Sequence, residues 1–342
     1  MKLTILIKSI LSWLVFVTGV SRLLIKKQAA NKQYFIMMYH RIIAADPMIQ
    51  PGMYVTPETF ERHLMYLKNN FTIVPLQQLI NPESRQQATL SSKPVCALTF
   101  DDGWIDFYQN AFPLLQKYKI TATVFLPTKY ISTGKQFWTD RLAHILKRIE
   151  VKKISTGQLS SDKFKDDIKQ IVDLQGSLEQ RLEWAAEMLK RYGQSEIEHI
   201  LDQIDQGFGQ QAKKVARDFI NWDEVKQMYQ SGLIDFGSHT VNHELLTNIS
   251  AAEIVNELSE SKDALIQHQC ANEDSLTFCY PNGNFNKEIA AQVGSQGYKL
   301  AVTTRNGWNE QDADMLTLNR IGVHQDVSSN VAMYAARIAG IF

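Results

Sequence analysis

Cysteine is scarce in this sequence, and long repeats and low-complexity tracts are lacking. The 342 residues include three cysteines, Cys96, Cys270 and Cys279, whose spacing offers neither an even disulfide framework nor a close metal-binding cluster. We therefore expect three free thiols. The length fits one large domain with a small appendage, since a single α/β barrel commonly runs to about 250 residues or more.

The chain also lacks an excess of charge of one sign. Its 36 lysines and arginines balance 36 aspartates and glutamates. Residues 1–45, however, contain seven basic residues and no acidic one, which leaves 29 basic against 36 acidic residues in the rest of the chain. This asymmetry argues against nucleic acid as the main partner.

An uninterrupted apolar run long enough to cross a bilayer is missing as well. The apolar stretch at 10–20 has about eleven residues, against the roughly twenty that a spanning helix needs, and it can be lengthened only across Lys8 and Arg22. It fits a signal peptide, a signal anchor or an interfacial helix, and no small-x-small cleavage site supports the first. The basic residues after it would place the catalytic domain on the cytoplasmic side of the membrane, or the helix flat on an anionic membrane surface. We predict that residues 1–33 associate with a membrane.

The first chemical motif is an adjacent pair of aspartates after an apolar run. Residues 95–100 are short, β-rich and preceded by Pro94, which is typical of a buried strand. Asp101 and Asp102 then follow the C-terminal end of that strand. Gly103 permits a sharp turn, so both carboxylates could reach one cavity. One of them could bind a metal while the other accepts a proton.

The second motif is a pair of histidines after another apolar run, at 232–236. On one helical turn, His239 and His243 would share a face and could bind one metal ion. Two imidazoles and a carboxylate, with one position left to water, form the ligand set of a catalytic zinc site. Zinc lowers the pKa of bound water towards about 7 and polarises a carbonyl, so an amide or ester could be attacked at neutral pH.

Two other hydrolytic reactions fit these motifs less well. An aspartyl-phosphatase mechanism wants alternate aspartates and Mg²⁺ rather than histidine ligands. Glycoside hydrolysis needs two carboxylates several ångströms apart on either side of the bond. The motifs therefore favour a metal-assisted hydrolase.

With the segment YPNG at 280–283, these motifs carry a family resemblance. From about Tyr34 to the C-terminus, the chain resembles the polysaccharide deacetylases, also called the NodB-homology family or carbohydrate esterase family 4. The resemblance implies a general base and metal ligands, which are Asp101 as base and Asp102, His239 and His243 as ligands. It implies Zn²⁺, or another divalent transition metal, as cofactor. The implied reaction removes N-acetyl groups from amino sugars of a polysaccharide or lipid-linked glycan.

The third family motif is altered in this chain. It usually reads R-P-P-Y-G, whereas the corresponding segment is FCYPNG at 278–283. The family arginine orients the base, and Cys279 cannot replace a guanidinium. Arg320 lies in an otherwise largely apolar segment and could pair with Asp101 instead. The backbone N–H of Asn282, before the glycine, matches the family position that helps to hold the oxyanion.

Two histidines compete for the role of general acid, which protonates the leaving amine. His40 follows the apolar run at 34–39, in a context that resembles the deacetylases whose acid histidine comes from the first strand. His324 follows the run at 316–323, nearer to the last motif, in which other members of the family carry their acid histidine. We prefer His40, because a histidine at the C-terminal end of an opening barrel strand has few structural reasons to be there.

Alternation of strand and helix patterns predicts an α/β fold with parallel strands. The resembling family has a distorted (β/α) barrel of about seven strands, with catalytic residues after the strands. Thr56 fits a helix N-cap with Pro57 at the first helical position. After the opening strand at 34–39, the strand candidates are 71–74, 95–100, 121–126, 233–236, 276–280, 299–303 and 316–323, with helices such as 252–267 and 287–296 between.

A long helical stretch at about 135–220 separates the two catalytic motifs. We interpret it as an insertion in a deacetylase domain at 34–342, with amphipathic runs at 138–149, 163–174 and 178–192. Because it leaves the C-terminal end of a strand, it could wall or cap a substrate groove on the catalytic face. The alternative is a neutral helical decoration.

The predicted partners are an N-acetylated glycan and a membrane surface. Trp104, directly after the aspartate turn, and Tyr280 are the predicted substrate-binding aromatic residues. The expected location is the inner (cytoplasmic) membrane of a bacterium, with the side left open. Two alternatives remain. One is a deformylase or other amidase that acts on a lipid-linked sugar, and the other is a catalytically inactive glycan-binding homologue.

Overall fold

The chain divides into two compact units. A computed structural model describes residues 2–44, 51–151, 163–208 and 217–342. The larger unit comprises Met1–Thr133 and Phe219–Phe342, and the smaller one comprises Gly134–Asp218. The smaller unit nearly coincides with the predicted insertion at 135–220. The parts of that insertion at 152–162 and 209–216 lie outside the described residues.

A curled parallel sheet forms the centre of the larger unit. The strands of the described chain are β1 (Tyr34–Tyr39), β2 (Arg41–Ile42), β3 (Tyr54–Val55), β4 (Thr72–Ile73), β5 (Val95–Phe100), β6 (Ala122–Leu126), β7 (Ile234–Ser238), β8 (Thr277–Cys279), β9 (Leu300–Val302) and β10 (Ile321–Gly322). Seven of these described strands follow the order β10-β1-β5-β6-β7-β8-β9, β4 also pairs with β5, and β2 pairs separately with β3. These pairings are parallel. The predicted α/β fold, a distorted (β/α) barrel, is confirmed.

The two edges of the sheet approach each other through the segment before β10. Val302 in β9 forms a parallel bridge with Leu318, and Thr303 N donates to Leu318 O at 2.9 Å. The predicted strand at 316–323 is therefore too long. Its first half pairs with β9, and only its end, Ile321–Gly322, pairs with β1.

Helices alternate with the strands, and several begin where the sequence predicts. The Thr56 hydroxyl accepts a hydrogen bond from Thr59 N, and Pro57 opens α3, so that predicted cap is confirmed. The helices of the larger unit and the smaller unit, in chain order, are α1 (Lys2–Val17), α2 (Val20–Ala30), α3 (Pro57–Asn70), α4 (Pro82–Thr89), α5 (Phe112–Tyr118), α6 (Trp138–Val151), α7 (Lys165–Asp173), α8 (Leu178–Leu189), α9 (Gln194–Gln206), α10 (Trp222–Gln230), α11 (Ala251–Gln267), α12 (Lys287–Ser295), α13 (Gln325–Ser328) and α14 (Val331–Ile338).

The smaller unit has an apolar core of its own. Helices α6 to α9 enclose it, with buried side chains that include Leu142, Ile171, Leu189 and Ile200. Three of these helices match the predicted amphipathic runs. Helix α9 lies outside the predicted runs, although its buried residues recur at the spacing of one helix face, at Ile197, Ile200, Leu201 and Ile204.

The N-terminal segment forms a bent pair of helices. The pair breaks at Gly19, whose φ of 79° is left-handed, and its two parts, Leu6–Val17 and Val20–Ala30, meet at 70°. Within the described residues, no single helix has the length and apolarity to cross a bilayer, and this pair meets the criterion only when both parts are taken together.

Candidate metal centre and active site

The parallel sheet brings the chemical motifs to one end. His40 follows β1, Asp101 follows β5 and His239 follows β7. Residues Tyr39 and Phe100 are register partners at the ends of adjacent strands. Because the carboxyl ends of parallel strands meet at the same end of a barrel, motifs that are distant in the sequence become neighbours there.

The predicted sharp turn after β5 is present, and it begins one residue earlier than expected. Asp102 has a φ of 76° and Gly103 a φ of 67°. A Cβ atom at Gly103 would lie 2.7 Å from Leu126 Cδ2, so glycine is required there for space as well as for conformation. A left-handed aspartate is uncommon, and strained residues of this kind cluster at functional sites. Both carboxylates are buried at this turn.

Asp102, His239 and His243 bring three potential metal ligands together. Asp102 Oδ1 lies 3.4 Å from His239 Nε2 and 3.3 Å from His243 Nε2, and the three ligand atoms lie within 4.8 Å of one another. His239 Nδ1 donates to Cys279 O at 2.7 Å, which leaves the Nε2 lone pair for a metal. The donor set fits a divalent transition metal with an open coordination position.

The charge state of Asp102 also suits a cation. Burial would raise the pKa of this carboxyl group, but the contacts with His239 and His243 and the nearby histidine charges together outweigh burial and hold the pKa well below its usual value. The carboxylate is therefore ionised at neutral pH, as a metal ligand must be.

The two histidines do not lie on a helical turn, so that part of the prediction is wrong. His239 directly follows β7, and His243 lies in a loop in which Thr240 and His243 have positive φ values of 67° and 60°. The buried side chain of Glu257 on α11 accepts from Val241 N at 2.8 Å and from the next backbone N–H at 2.9 Å. This tertiary contact, rather than helical geometry, shapes the loop that carries the histidines.

Asp101 forms the pair with Arg320 that the sequence predicts. Arg320 Nη1 donates to Asp101 Oδ1 at 2.7 Å, and Nη2 donates to Oδ2 at 2.8 Å. Arg320 also donates to the Thr99 hydroxyl at 3.1 Å and lies 3.2 Å from Cys279 Sγ. Burial would raise the pKa of Asp101, but the charge and hydrogen bonds of Arg320 offset it, so the pKa lies below its usual value.

The two candidate general acids differ in their contacts. His40 Nε2 lies 3.8 Å from Asp101 Oδ2. Among the residues that the structure describes, no hydrogen bond or ion pair joins His324 to Asp101 or Asp102, and His324 Nδ1 is buried with no hydrogen-bond partner. Burial lowers the pKa of His324. The geometry therefore favours His40.

Trp104 does not offer a ring face to a sugar, so its predicted role in substrate binding is wrong. The side chain is only 3% exposed. Phe219 stacks on it at 4.8 Å, and the Arg41 guanidinium lies 4.3 Å from its ring centroid. Instead, Trp104 Nε1 donates to Asp102 Oδ2 at 2.9 Å. Arg41 is in turn paired with buried Asp106 at 2.8 Å. Neither residue is among the predicted site residues, although Arg41 adjoins His40.

Tyr280 is likewise unavailable to substrate, because it is fully buried and its hydroxyl donates to Leu316 O at 2.9 Å. The turn after it, Pro281–Gly283, is different. Asn282 is exposed and has a left-handed φ of 54°. It lies after β8, at the same end of the sheet as the aspartates that follow β5.

Comparison with known proteins agrees with this geometry. The sequence model of the family described as "Polysaccharide deacetylase" matches residues 89–175 and 175–301. This range contains both catalytic motifs, whereas His40, Arg320 and His324 lie outside it. A Bacillus subtilis (strain 168) protein named "Putative polysaccharide deacetylase YxkH" is 23% identical over 298 residues, which cover 86% of this chain and 73% of that protein.

Solved structures share the fold. The Streptococcus pyogenes deacetylase PplD in complex with acetate superposes with a TM-score of 0.56 at 23% identity, over 86% of this chain and 94% of that one. BC0361, a polysaccharide deacetylase from Bacillus cereus, superposes with a TM-score of 0.56 at 17% identity, over 89% of this chain and 68% of that one. Since the family model covers more than half of the sequence, the chain belongs to the polysaccharide deacetylase family.

Proposed function

We propose that this protein is a metal-dependent deacetylase that removes N-acetyl groups from amino sugars of a polysaccharide or lipid-linked glycan. The observation that carries the proposal is the placement of an ionised, arginine-bound Asp101 directly beside the Asp102–His239–His243 ligand group. A proton acceptor next to a catalytic type of metal site is the arrangement that amide hydrolysis requires.

Asp102, His239 and His243 would hold the metal. Two imidazoles and one carboxylate suit Zn²⁺ or another divalent transition metal. When bound, the cation would polarise the acetamide carbonyl and acidify water. Trp104 supports this site, because its N–H occupies Oδ2 of Asp102 and leaves Oδ1 directed at the two histidines.

Asp101 and His40 would move the protons. Water adds its oxygen to the carbonyl carbon while Asp101 accepts a proton from it. The bond between carbon and nitrogen then breaks as His40 donates a proton to the leaving nitrogen, which yields acetate and a free amine. Arg320 orients Asp101 and keeps it ionised. The backbone N–H of Asn282, an exposed residue at this end of the sheet, would donate to the developing oxyanion.

Arg320 also bears on the alternative of an inactive glycan-binding homologue. That alternative rests on the missing arginine of the third motif. In the fold, Arg320 places a guanidinium against Asp101 from the segment before β10, while Cys279 occupies the motif position beside it. The base therefore has its arginine, which favours an active enzyme.

We further propose that residues 1–33 associate with a membrane surface, as their basic and apolar composition predicts. The location at the inner membrane of a bacterium and the side on which the catalytic unit lies are part of the same proposal. The support is the absence of any acidic residue in positions 1–45 together with the apolar helix pair.

Acetate release from a panel of N-acetylated glycans tests the activity. The purified full chain is assayed with Zn²⁺, with a chelator, and with Zn²⁺ restored, beside Asp101→Asn and His243→Ala. The matched control is His144→Ala, which removes a histidine from the smaller unit. We expect release that requires the metal, is lost in both site variants and persists in the control.

Three other results would contradict the proposal. Release of formate from N-formylated substrates without release of acetate would identify a deformylase. Metal binding and glycan binding without hydrolysis would identify a binding protein. Full activity in the chelator would exclude the metal-dependent mechanism.

A further inference from the structure

The polarity of α1 is inverted relative to a helix on the surface of a soluble domain. Its most exposed large side chains, Leu6, Ile10, Trp13 and Val17, are apolar and between 53% and 57% exposed. They recur at spacings of four, three and four residues, so they form one outward stripe. The side that faces the protein carries Ser12, which is 1% exposed.

A helix whose outer face contacts water would not be expected to expose these apolar side chains. A surface helix of a soluble protein buries its apolar stripe and exposes its polar face, and contiguous exposed apolar patches mark interaction surfaces. The outward stripe is widened by further exposed apolar side chains of α1 and α2, namely Ile7, Leu11, Leu14, Phe16, Val20 and Leu23. This outward apolar surface therefore has the character of an interaction surface.

The helix pair is docked on the folded larger unit. Helix α1 packs against α14 and α13. The Asn330 amide donates to the Ser9 hydroxyl at 3.3 Å, and the rings of Phe16 and Tyr66 lie 6.4 Å apart. Ser21 and Ile25 of α2 are buried. The apolar face is thus a fixed part of the catalytic unit, and whatever it binds sets the orientation of that unit.

Helix α1 lies beside the active-site end of the sheet. Helix α13, which α1 contacts, begins directly after His324 at the carboxyl end of β10. After burial, which is the largest cause, the charge of Lys8 on α1 is among those that lower the pKa of His324, and His40 contributes as well. The apolar face and the rim of the catalytic site are therefore neighbours.

Charge and length identify the occupant. Arg22, Lys26, Lys27 and Lys32 accompany the apolar face, and no acidic residue occurs in positions 1–45, which suits an anionic bilayer surface. At about 1.5 Å per residue, the 16 residues of α1 extend about 24 Å. This is less than the roughly 30 Å of a bilayer core. A helix that lies in the interface fits this length and the 70° bend.

We propose that α1 and α2 lie in the surface of an anionic bilayer and hold the active-site rim against it, so that the substrate is an N-acetylated glycan attached to a lipid in that membrane. The inference rests on the proposed deacetylase function and specifies its substrate class. It assigns α1 two tasks, which are attachment to the membrane and presentation of the site to a membrane-held chain.

Vesicle binding tests the attachment. The full chain is sedimented with vesicles of phosphatidylcholine alone and with vesicles that also contain phosphatidylglycerol. The test variant is Ile10→Glu/Trp13→Glu/Val17→Glu, and the matched control is Leu90→Glu/Val255→Glu, which makes the same kind of change at exposed apolar positions elsewhere. We expect preferential binding to the anionic vesicles, at least about tenfold weaker in the triple variant and unchanged in the control.

Deacetylation of one N-acetylated oligosaccharide, free or attached to a lipid in the vesicles, tests the substrate class. The triple variant should retain the wild-type rate on the free sugar, which also shows that it folds, and should lose at least about tenfold on the lipid-linked sugar. Equal losses on both substrates, or equal vesicle binding by all proteins, would overturn the inference. So would a wild-type dimer that the triple variant converts to a monomer without any vesicle binding, because the face would then be a protein interface.

The two proposals fail in different ways. If the wild-type chain releases acetate from neither form of the sugar but still binds anionic vesicles, the proposed deacetylase function is wrong, whereas the attachment of α1 and α2 to a membrane is supported. If it deacetylates both forms equally well and the triple variant does the same, the function stands and this inference fails.

Discussion

Arg320 and Asp101 form a two-pronged ion pair, with distances of 2.7 Å between Nη1 and Oδ1 and 2.8 Å between Nη2 and Oδ2. Arg320 is fully buried and Asp101 is 3% exposed. The fork matches the planar geometry of a carboxylate, so it fixes the direction of Asp101 as well as its charge. Cys279, at the position of the missing motif arginine, lies 3.2 Å from Nη2.

Replacement of Arg320 should change both the rate and its pH dependence. In Arg320→Met, burial acts on Asp101 without the opposing guanidinium, so the pKa of Asp101 rises. The acidic limb of the profile of kcat/KM against pH should move to higher pH, and kcat/KM at neutral pH should fall by about 10² or more. Arg320→Lys keeps the charge but not the two-pronged geometry, so its kcat/KM should lie between those of wild type and Arg320→Met. A profile for Arg320→Met that coincides with wild type would show that Arg320 does not act on the base.

The stability of the same variant follows from the buried charge. Truncation of one partner of a buried ion pair costs about 3–5 kcal/mol, since the other charge stays behind unpaired. Urea unfolding of Arg320→Met should show a decrease of this size in the free energy of unfolding. In Asp101→Asn the arginine loses its partner, so a loss of similar order is expected. No loss in either variant would mean that the pair is not buried in solution.

Trp104→Phe should weaken metal binding rather than sugar binding. The change keeps an aromatic ring against Phe219 but removes the N–H that donates to Asp102 Oδ2 at 2.9 Å. Outer partners of metal ligands are typically worth 10–100-fold in metal affinity. Zinc titration should show a loss in this range, with little change in KM for the glycan at saturating metal.

Trp308→Phe is the matched control for Trp104→Phe. It also removes an indole N–H, one that donates to Ile338 O at 2.8 Å. Trp308 adjoins Asn309, which pairs with Tyr34 at the start of β1, so it lies at the other end of the sheet from the site. Its zinc affinity should equal that of wild type. A raised KM with unchanged zinc affinity in Trp104→Phe would restore the sugar-stacking role.

His40→Gln and His324→Gln should separate the two candidate general acids. Because His40 Nε2 lies 3.8 Å from Asp101 Oδ2, its loss should lower kcat by about 10²–10⁴. His324→Gln should lower kcat by less than about tenfold. The reverse pattern, measured by acetate release, would assign the acid to His324.

His63 should make the fold less stable in mild acid. Burial lowers its pKa to about 3. Its Nε2 donates to Ser328 O at 2.7 Å, and its Nδ1 accepts from the Tyr39 hydroxyl at 3.2 Å. Below the ordinary pKa of about 6.5, the unfolded chain binds a proton that the folded chain does not, so the free energy of unfolding falls as the pH falls.

The size of this effect can be measured by difference. Between pH 7.5 and 5.5, His63 should remove about 1.4 kcal/mol from the free energy of unfolding. In His63→Gln this contribution is absent, so urea unfolding should depend less on pH by that amount, even if the variant is less stable throughout. Parallel pH dependence in the two proteins would show that His63 titrates in the fold as it does in the unfolded chain.

Features that depend on near neighbours in the chain could be predicted from the sequence. The turn at Asp101–Gly103 and the cap at Thr56 are present, because glycine conformation and N-capping act over a few residues. The parallel α/β fold follows from the alternation of strands and helices. The free state of Cys96, Cys270 and Cys279 also matches the expectation.

Only the tertiary structure decided which of these residues contact one another. Asp101 and Arg320 are 219 positions apart, and their pairing depends on the closeness of the strand ends. His243 is oriented by a loop that Glu257 holds, not by a helical turn. Trp104 is a partner of Asp102 rather than the predicted sugar-binding residue, because Phe219 and Arg41 pack against its ring and leave it buried. The sequence by itself determined which groups are present and the fold that carries them. Which of them meet, and which way α1 faces, depended on packing between distant segments, because contacts across the fold leave no local pattern in the chain.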